Sequence, residues 1–268
     1  MITSTSPLRL YVWSDAVVVL AFSTFSDSPP KNSTAPSWCM HDTHIFRTNS
    51  EQCDTDGLTQ SDRTLTLDRW CQLTGHGPNV CSTIKTKYAE RLRNAVLSSH
   101  REVAKDHVNA GITLAGARCF SLLRADITLG ADLEPYLMEI NQDPYLPHSY
   151  GSEPYPTLIL RELFEEYFSM VGVTPYRRPP IQPATFREMT SFCVEQQCSA
   201  SEFLALQRMV AEQHQVVKFV PVFPKMGLAG GAVLTPPADW RRMRALLPDW
   251  QQGFDTKLER WFHRISSP

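Results

Sequence analysis

The chain has 268 residues, of which 42% are hydrophobic and 20% charged, with a formal net charge of −2. That balance suits one large or two small globular domains and argues against a protein that grips nucleic acid through bulk charge. No apolar run reaches the roughly 18 residues a membrane span needs, and "MITSTSPLRL" has no cationic region followed by an apolar core, so neither a span nor a secretory signal is expected. The seven cysteines are odd in number and complete no zinc pattern, which predicts reduced thiols in a cytoplasmic protein.

Taken in chain order, "PLRLYVWSDAVVVLAFSTF" (7–25) predicts two strands joined by a tight turn at Ser14-Asp15. Residues 26–66, rich in Ser, Thr, Asp and Pro, predict a long loop. From 67 to 100, two helices are expected with a break at Gly75-His76-Gly77-Pro78, the second carrying a core stripe of Ile84, Tyr88, Leu92 and Val96. Residues 118–141 switch to a hairpin of two strands around "GADLEP", and 155–171 to an amphipathic helix ended by Gly172. After "TPYRRPPIQPA" (174–184) come helical stretches near 185–196, 200–214, 237–247 and 250–264, with "VVKFVPVFPKMGLAGGA" between them as an extended segment and a loop.

The hairpin carries the chemistry. With its turn centred near Asp132 and Leu133, Asp126 stands opposite Glu139, and Asn141 follows on the same face, because alternate strand residues share a side. Two carboxylates facing each other repel, unless one is protonated or a cation lies between them. Two carboxylates and an amide oxygen are hard donors that suit Mg²⁺, which takes few protein ligands and leaves positions for phosphate and water. On spacing alone, the bland alternative is an edge hairpin with solvent-facing acids.

"CFSLLRADITLGADLEPYLMEINQDPYL" (119–146) resembles the metal-binding hairpin of the tubulin–tyrosine ligase-like family. There an Asp after a Phe-rich strand is followed at a fixed interval by Leu/Met-Glu-Ile/Val-Asn and a nearby Pro, and Asp126, Glu139, Asn141 and Pro144 match. More weakly, "SPLRLYVWSDAVVVLAFSTFSD" (6–27) is similar to a strand pair of the family, and "RTNSEQ" (47–52) to its His-Leu-Thr-Asn loop. The helix ending "FSMVGV" resembles that of polyglutamylase-like members. The resemblance covers about residues 2–175.

It implies an α+β architecture: the C-terminal part of an ATP-grasp fold over 1–175, an antiparallel sheet with packed helices. A linker at 176–184 and a helical C-terminal extension over 185–268 complete the expected organisation. It also implies ATP-dependent joining of an amino-acid amine to a protein carboxylate through an acyl phosphate, with glutamate added to tubulin as the expected case. Asp126, Glu139 and Asn141 would be the Mg²⁺ ligands, and Thr48 and Asn49 would contact ATP. The implied partners are the C-terminal tails of tubulin or microtubules, with no nucleic acid and no membrane. The implied location is cytoplasmic and microtubule-associated, in the cytoskeleton or a cilium or flagellum.

The chain also departs from the pattern. It opens just after the family's Asp-x-Arg, Val19 stands at a position often basic, and Phe46 replaces the motif's His, with His44 nearby. Fewer cationic phosphate partners predict weak Mg-ATP binding by this polypeptide. Two readings follow: a ligase fragment whose complete form glutamylates tubulin, or a catalytically inactive ligase-like module that binds tubulin. Arg241, Arg242 and Arg244 beside Trp240 offer a basic surface for acidic tails or simply a solvated helix face, and Arg177-Arg178 read as a linker. "GLAGGA" (227–232) lacks the Lys-Ser/Thr of a phosphate loop. The histidines form no HxxxH or HExxH pattern, which argues against catalytic zinc.

Overall fold

The computed structural model describes residues 1–5, 8–20, 64–110, 120–142, 154–175 and 181–223, together with 253, 254, 256–258, 260, 261 and 264. In chain order the elements are β1 (Ile2–Thr5), β2 (Leu8–Trp13), β3 (Val17–Val19), β4 (Thr64–Thr66), α1 (Leu67–Leu73), α2 (Pro78–Asn109), β5 (Arg124–Leu129), β6 (Pro135–Asn141), α3 (Pro154–Met170), α4 (Pro183–Glu195), α5 (Ala200–Gln215) and β7 (Phe219–Phe223). Among the described residues every strand pairing is antiparallel, and the mixture of helices with antiparallel sheets is that of an α+β protein. The chain forms two compact units. One comprises Met1–Ser14, Ile84–Tyr145 and Glu162–Pro268; the other comprises Asp15–Thr83 and Leu146–Arg161.

In the first unit, β2 is the middle strand of a sheet ordered β1-β2-β7. Period-two alternation splits its side chains between two cores. Leu8 and Leu10 pack with Leu97 of α2 and Val222 of β7, supported by Val12, Ala89 and Val96. Tyr11, on the other face, packs with Tyr167 and Met170 of α3 and Phe219 of β7, and Trp13 meets the Phe219 ring edge-on at 4.9 Å. A third cluster joins Met189 and Phe192 of α4 and Leu206, Met209 and Val210 of α5 to Phe254, Leu258 and the fully buried Trp261. A capping box starts α5: Ser199 and Glu202 exchange hydrogen bonds. Lys257 then donates to Glu202 at 2.8 Å, tying the C-terminal helical residues to α5.

Two buried carboxylates hold this unit together across long stretches of sequence. Glu212 of α5 accepts from Arg9 of β2 at 2.9 Å, from the Thr3 hydroxyl at 2.9 Å and from the Tyr11 hydroxyl at 3.4 Å. Burial drives the Glu212 carboxyl above the ordinary glutamate range, against the pull of Arg9 and its hydrogen-bond donors. Glu166 of α3, 2% exposed, accepts from the backbone N–H groups of Val217, Lys218 and Phe219 at 2.7 to 3.0 Å. These groups lie where the chain leaves α5 and enters β7, and a strand start without such an acceptor would leave its donors unsatisfied.

In the second unit, β3 pairs with β4, and α1 follows directly. Thr66 is extended at the N-cap and accepts from Arg69 N–H at 3.1 Å. The helix ends in a Schellman-type turn: Gly75 has φ 73°, His76 N–H donates to Cys71 C=O at 2.9 Å, and Gly75 N–H donates to Gln72 C=O at 3.4 Å. A side chain would strain that backbone. Pro78 then opens α2, where a missing N–H costs nothing.

Several expectations change. The strands at 7–25 do not form a hairpin: β2 pairs with β1 and β7, and β3 with β4. The turn is replaced by a parting of the ways, where Ser14 N–H donates to Lys218 C=O and the Asp15 carboxylate accepts from Ala16 N–H. Thr64–Thr66, within the expected loop, is a strand because Val17–Val19 offers it an edge. The two-helix expectation holds, with α2 running on to Asn109, since no Gly or Pro intervenes before Gly111. The hairpin's first strand starts at Arg124 rather than 118. Cys71 lies beside Cys81 and Cys193 beside Cys198, with Cα atoms 6.4 and 4.8 Å apart. Their elements bring each pair, expected from the sequence as reduced thiols, within the Cα spacing a disulfide requires.

The Glu166 clamp can be tested. Glu166→Ala leaves its backbone donors buried without an acceptor and should lower stability by roughly 3–5 kcal/mol. Urea unfolding should show a lower midpoint at unchanged slope, with Glu166→Gln falling between the two.

Candidate metal centre

The site lies on the β5–β6 hairpin. Arg124 pairs with Asn141, Ala125 with Ile140 and Asp126 with Glu139. Beyond that point the register shifts: Ile127 pairs with Leu137, Thr128 with Tyr136 and Leu129 with Pro135. Met138 is the extra residue of this β-bulge and is 68% exposed. If the same sequence paired without the bulge, the turn-proximal register would continue and Met138, not Glu139, would oppose Asp126. A bulge re-aims side chains in this way and bends the strand.

The turn fixes the other end. Leu133 N–H donates to Gly130 C=O and Gly130 N–H to Glu134 C=O, both at 2.9 Å, and Leu133 takes φ 62°. The Asp132 carboxylate accepts from Glu134 N–H at 3.0 Å. Glu134 anchors the turn to α2, where Lys87 and Arg91, one helical turn apart, both bind its carboxylate, Arg91 at 3.0 Å. These two hydrogen bonds hold the Glu134 carboxyl below the ordinary glutamate range. Just before β5, Ser121 exchanges two backbone hydrogen bonds with Ile2, each 2.8 Å, attaching the hairpin's root to the edge of the β1-β2-β7 sheet.

Asp126, Glu139 and Asn141 therefore come together on one face. Asn141 Nδ2 donates to Glu139 Oε1 at 2.9 Å and lies 3.5 Å from Asp126 Oδ2. The Asn141 hydrogen bond holds the Glu139 carboxyl below its ordinary range. Arg124 joins the same face: its Nε donates to Asp126 Oδ1 at 3.0 Å and a terminal nitrogen to Oδ2 at 3.2 Å. Arg124 and Asp126 side chains are 36% and 41% exposed, so solutes from water reach the face directly.

Among the described residues no group of three His, Cys, Asp or Glu side chains is placed to hold a metal. The hairpin offers two carboxylates and an amide, a donor set whose chemistry fits Mg²⁺ when the amide presents its oxygen. Thr48, Asn49, His44, Phe46 and Pro144 lie outside the described residues, as do Arg177, Arg178, the 227–232 loop and the basic group Arg241, Arg242 and Arg244. Arg124 was not singled out from the sequence, although its place two residues before Asp126 on the same strand face was the available signal. No helix among the described residues is long and apolar enough to cross a membrane.

The protein is thus an α+β fold that carries paired carboxylates on an exposed hairpin. The family model of the tubulin-tyrosine ligase family matches residues 1–180, and the chain belongs to that family. It is similar to tubulin polyglutamylase TTLL13 of Homo sapiens, 27% identical over 150 residues covering 54% of this chain and 18% of that protein. It is similar also to tubulin polyglutamylase TTLL6 of Mus musculus, 27% identical over 146 residues covering 54% and 17%. The human TTLL6 match is 29% identical over 147 residues, covering 54% and 16%. The chain thus spans less than a fifth of the length of these curated relatives.

The depressed Glu134 carboxyl has a pH consequence. A carboxylate with a lowered folded-state pKa contributes stability above its ordinary unfolded value and loses it as pH falls through the depressed one. NMR titration should place the Glu134 midpoint below the ordinary value of about 4.3. Replacing Lys87 and Arg91 together by Ala should return it toward that value; an unmoved midpoint would contradict the anchor.

Proposed function

We propose that the chain is part of an ATP-dependent protein–amino acid ligase of the tubulin-glutamylating type, with the β5–β6 hairpin as its magnesium-binding element. Residues 1–175 are then the C-terminal part of an ATP-grasp domain and 176–184 a linker to the extension over 185–268. The observation that carries this reading is the register that sets Asp126 opposite Glu139 with Asn141 on the same face. Family membership and the relatives' names support it.

In this reading Asp126, Glu139 and the Asn141 amide oxygen hold Mg²⁺, whose chemistry is to neutralise charge on the phosphates of ATP. The chain's own residues bind and orient. The bulge at Met138 fixes the spacing of the donors, the Glu134 anchor holds the hairpin against α2, and Thr48 and Asn49 are proposed as nucleotide contacts. The proposed partners are the acidic tails of tubulin or microtubules, which places the protein with the cytoskeleton, including that of a cilium or flagellum.

A second reading, an inactive ligase-like module that binds tubulin, is favoured by one observation: both oxygens of Asp126 already face the Arg124 guanidinium. Transfer of labelled glutamate to tubulin separates the two. The expected result is slow incorporation that depends on Mg-ATP and falls at least about 100-fold in Glu139→Ala, the scale of a lost electrostatic stabiliser. Incorporation equal to wild type in Glu139→Ala would overturn the first reading. No incorporation, with microtubule co-sedimentation unchanged by that substitution, would select the second.

A further inference from the structure

The donor face contains a cation of its own. Arg124 lies opposite Asn141 in the strand register and grips Asp126 through two nitrogens, Nε to Oδ1 at 3.0 Å and a terminal nitrogen to Oδ2 at 3.2 Å. This two-point fork is the geometry in which guanidinium recognises carboxylate best. The remaining donor, Asn141, turns its NH₂ and not its oxygen toward Glu139 Oε1 at 2.9 Å. The carboxylates are thus satisfied from within the chain.

We infer that Arg124 is a built-in counter-cation that competes for the metal position on this hairpin and holds its divalent-ion affinity down. The inference rests on the magnesium reading of Asp126, Glu139 and Asn141. A divalent ion must approach Asp126 to about 2.0–2.1 Å, which displaces the guanidinium from the oxygens it now faces. Once displaced, Arg124 remains tethered two residues away on the same strand face, where its charge still repels the ion.

The donor face also lacks apolar shielding, since Arg124 and Asp126 are both partly exposed. Electrostatic competition is therefore felt through water, and its effect is moderate. Two unit charges a few ångströms apart in water interact weakly, and a divalent ion doubles the term. The expected change on removing Arg124 is about tenfold or somewhat more in affinity.

The test uses Mn²⁺ alone as probe, with the full chain, read by electron paramagnetic resonance and by calorimetry. Arg124→Ala should bind Mn²⁺ at least about tenfold tighter than wild type, and Arg124→Gln should do the same. Arg124→Lys keeps the charge and should stay near wild type. Adding Asp126→Asn to Arg124→Ala should abolish the gain. Equal and measurable affinity in wild type and Arg124→Ala overturns the inference but leaves the magnesium reading standing. A gain that survives Asp126→Asn overturns it also, by placing the ion elsewhere. No Mn²⁺ binding in wild type or in either Arg124 variant overturns both the inference and the magnesium reading. Circular dichroism of each variant, expected to match wild type, confirms that affinities compare folded proteins.

Discussion

The buried contact between Arg9 and Glu212 is the constraint on which the first unit depends. β2 is the central strand of its sheet, so any charge on it must be answered from within the protein. Arg9 is answered by Glu212 of α5, with Thr3 and Tyr11 completing the carboxylate's hydrogen bonds. A lone buried charge is far more costly than a paired one, whereas the pair as a whole adds little net stability over a well-packed apolar substitute. Its value is in specificity. It allows one arrangement of α5 on β2, and β7 follows α5 into the sheet. Glu166 then collects the backbone donors at the start of β7. Two carboxylates on two helices thereby decide where a strand from late in the chain joins one from its beginning.

That frame carries the hairpin without contributing any of its donors. Its root is bound to β1 through Ser121 and its turn to α2 through Glu134. Between these attachments the strands are free to place polar groups outward, and the exposed side chains of Tyr136 and Met138 show that this stretch is not core. The division is economical in physical terms: burial fixes the backbone, and the exposed face is left to charge. The same division explains why Arg124 can sit among the donors. An arginine there costs little in desolvation, whereas at a buried position it would demand a dedicated partner.

Local signals made much of this legible in the sequence. The helix break at Gly75–Pro78 could be read from turn chemistry, and the helix end at Gly172 likewise, where the structure shows φ 75°. The pairing of Asp126 with Glu139 could be read by counting residues about a turn. The bulge could not, because an extra residue leaves no mark in a period-two pattern this short; the count came out right on the donor side only because it was centred on Asp132 and Leu133. The partners of β2 and β3 were hidden for a different reason. Adjacent apolar strands suggest a hairpin, and nothing local to them announces that β7 and β4, far away in sequence, complete the pairing. Arg9–Glu212 was invisible in the same way, being a tertiary fact about residues that look ordinary alone.

The Met138 bulge also sets how this hairpin tolerates changes of length. Most exposed loops absorb a gained or lost residue at little cost. Here one residue removed at Met138 would restore even pleating and still leave Glu139 opposite Asp126, because Glu139 would then follow Leu137 directly in the turn-side register. One residue added beside Met138, with the bulge kept, would instead move Glu139 one step along; side chains change face with each such step, so Asp126 would lose its opposite number while the hairpin itself survived. The face that meets charge is thus held by chain length as firmly as by residue identity, and a silent-looking insertion there would be the more damaging kind of change.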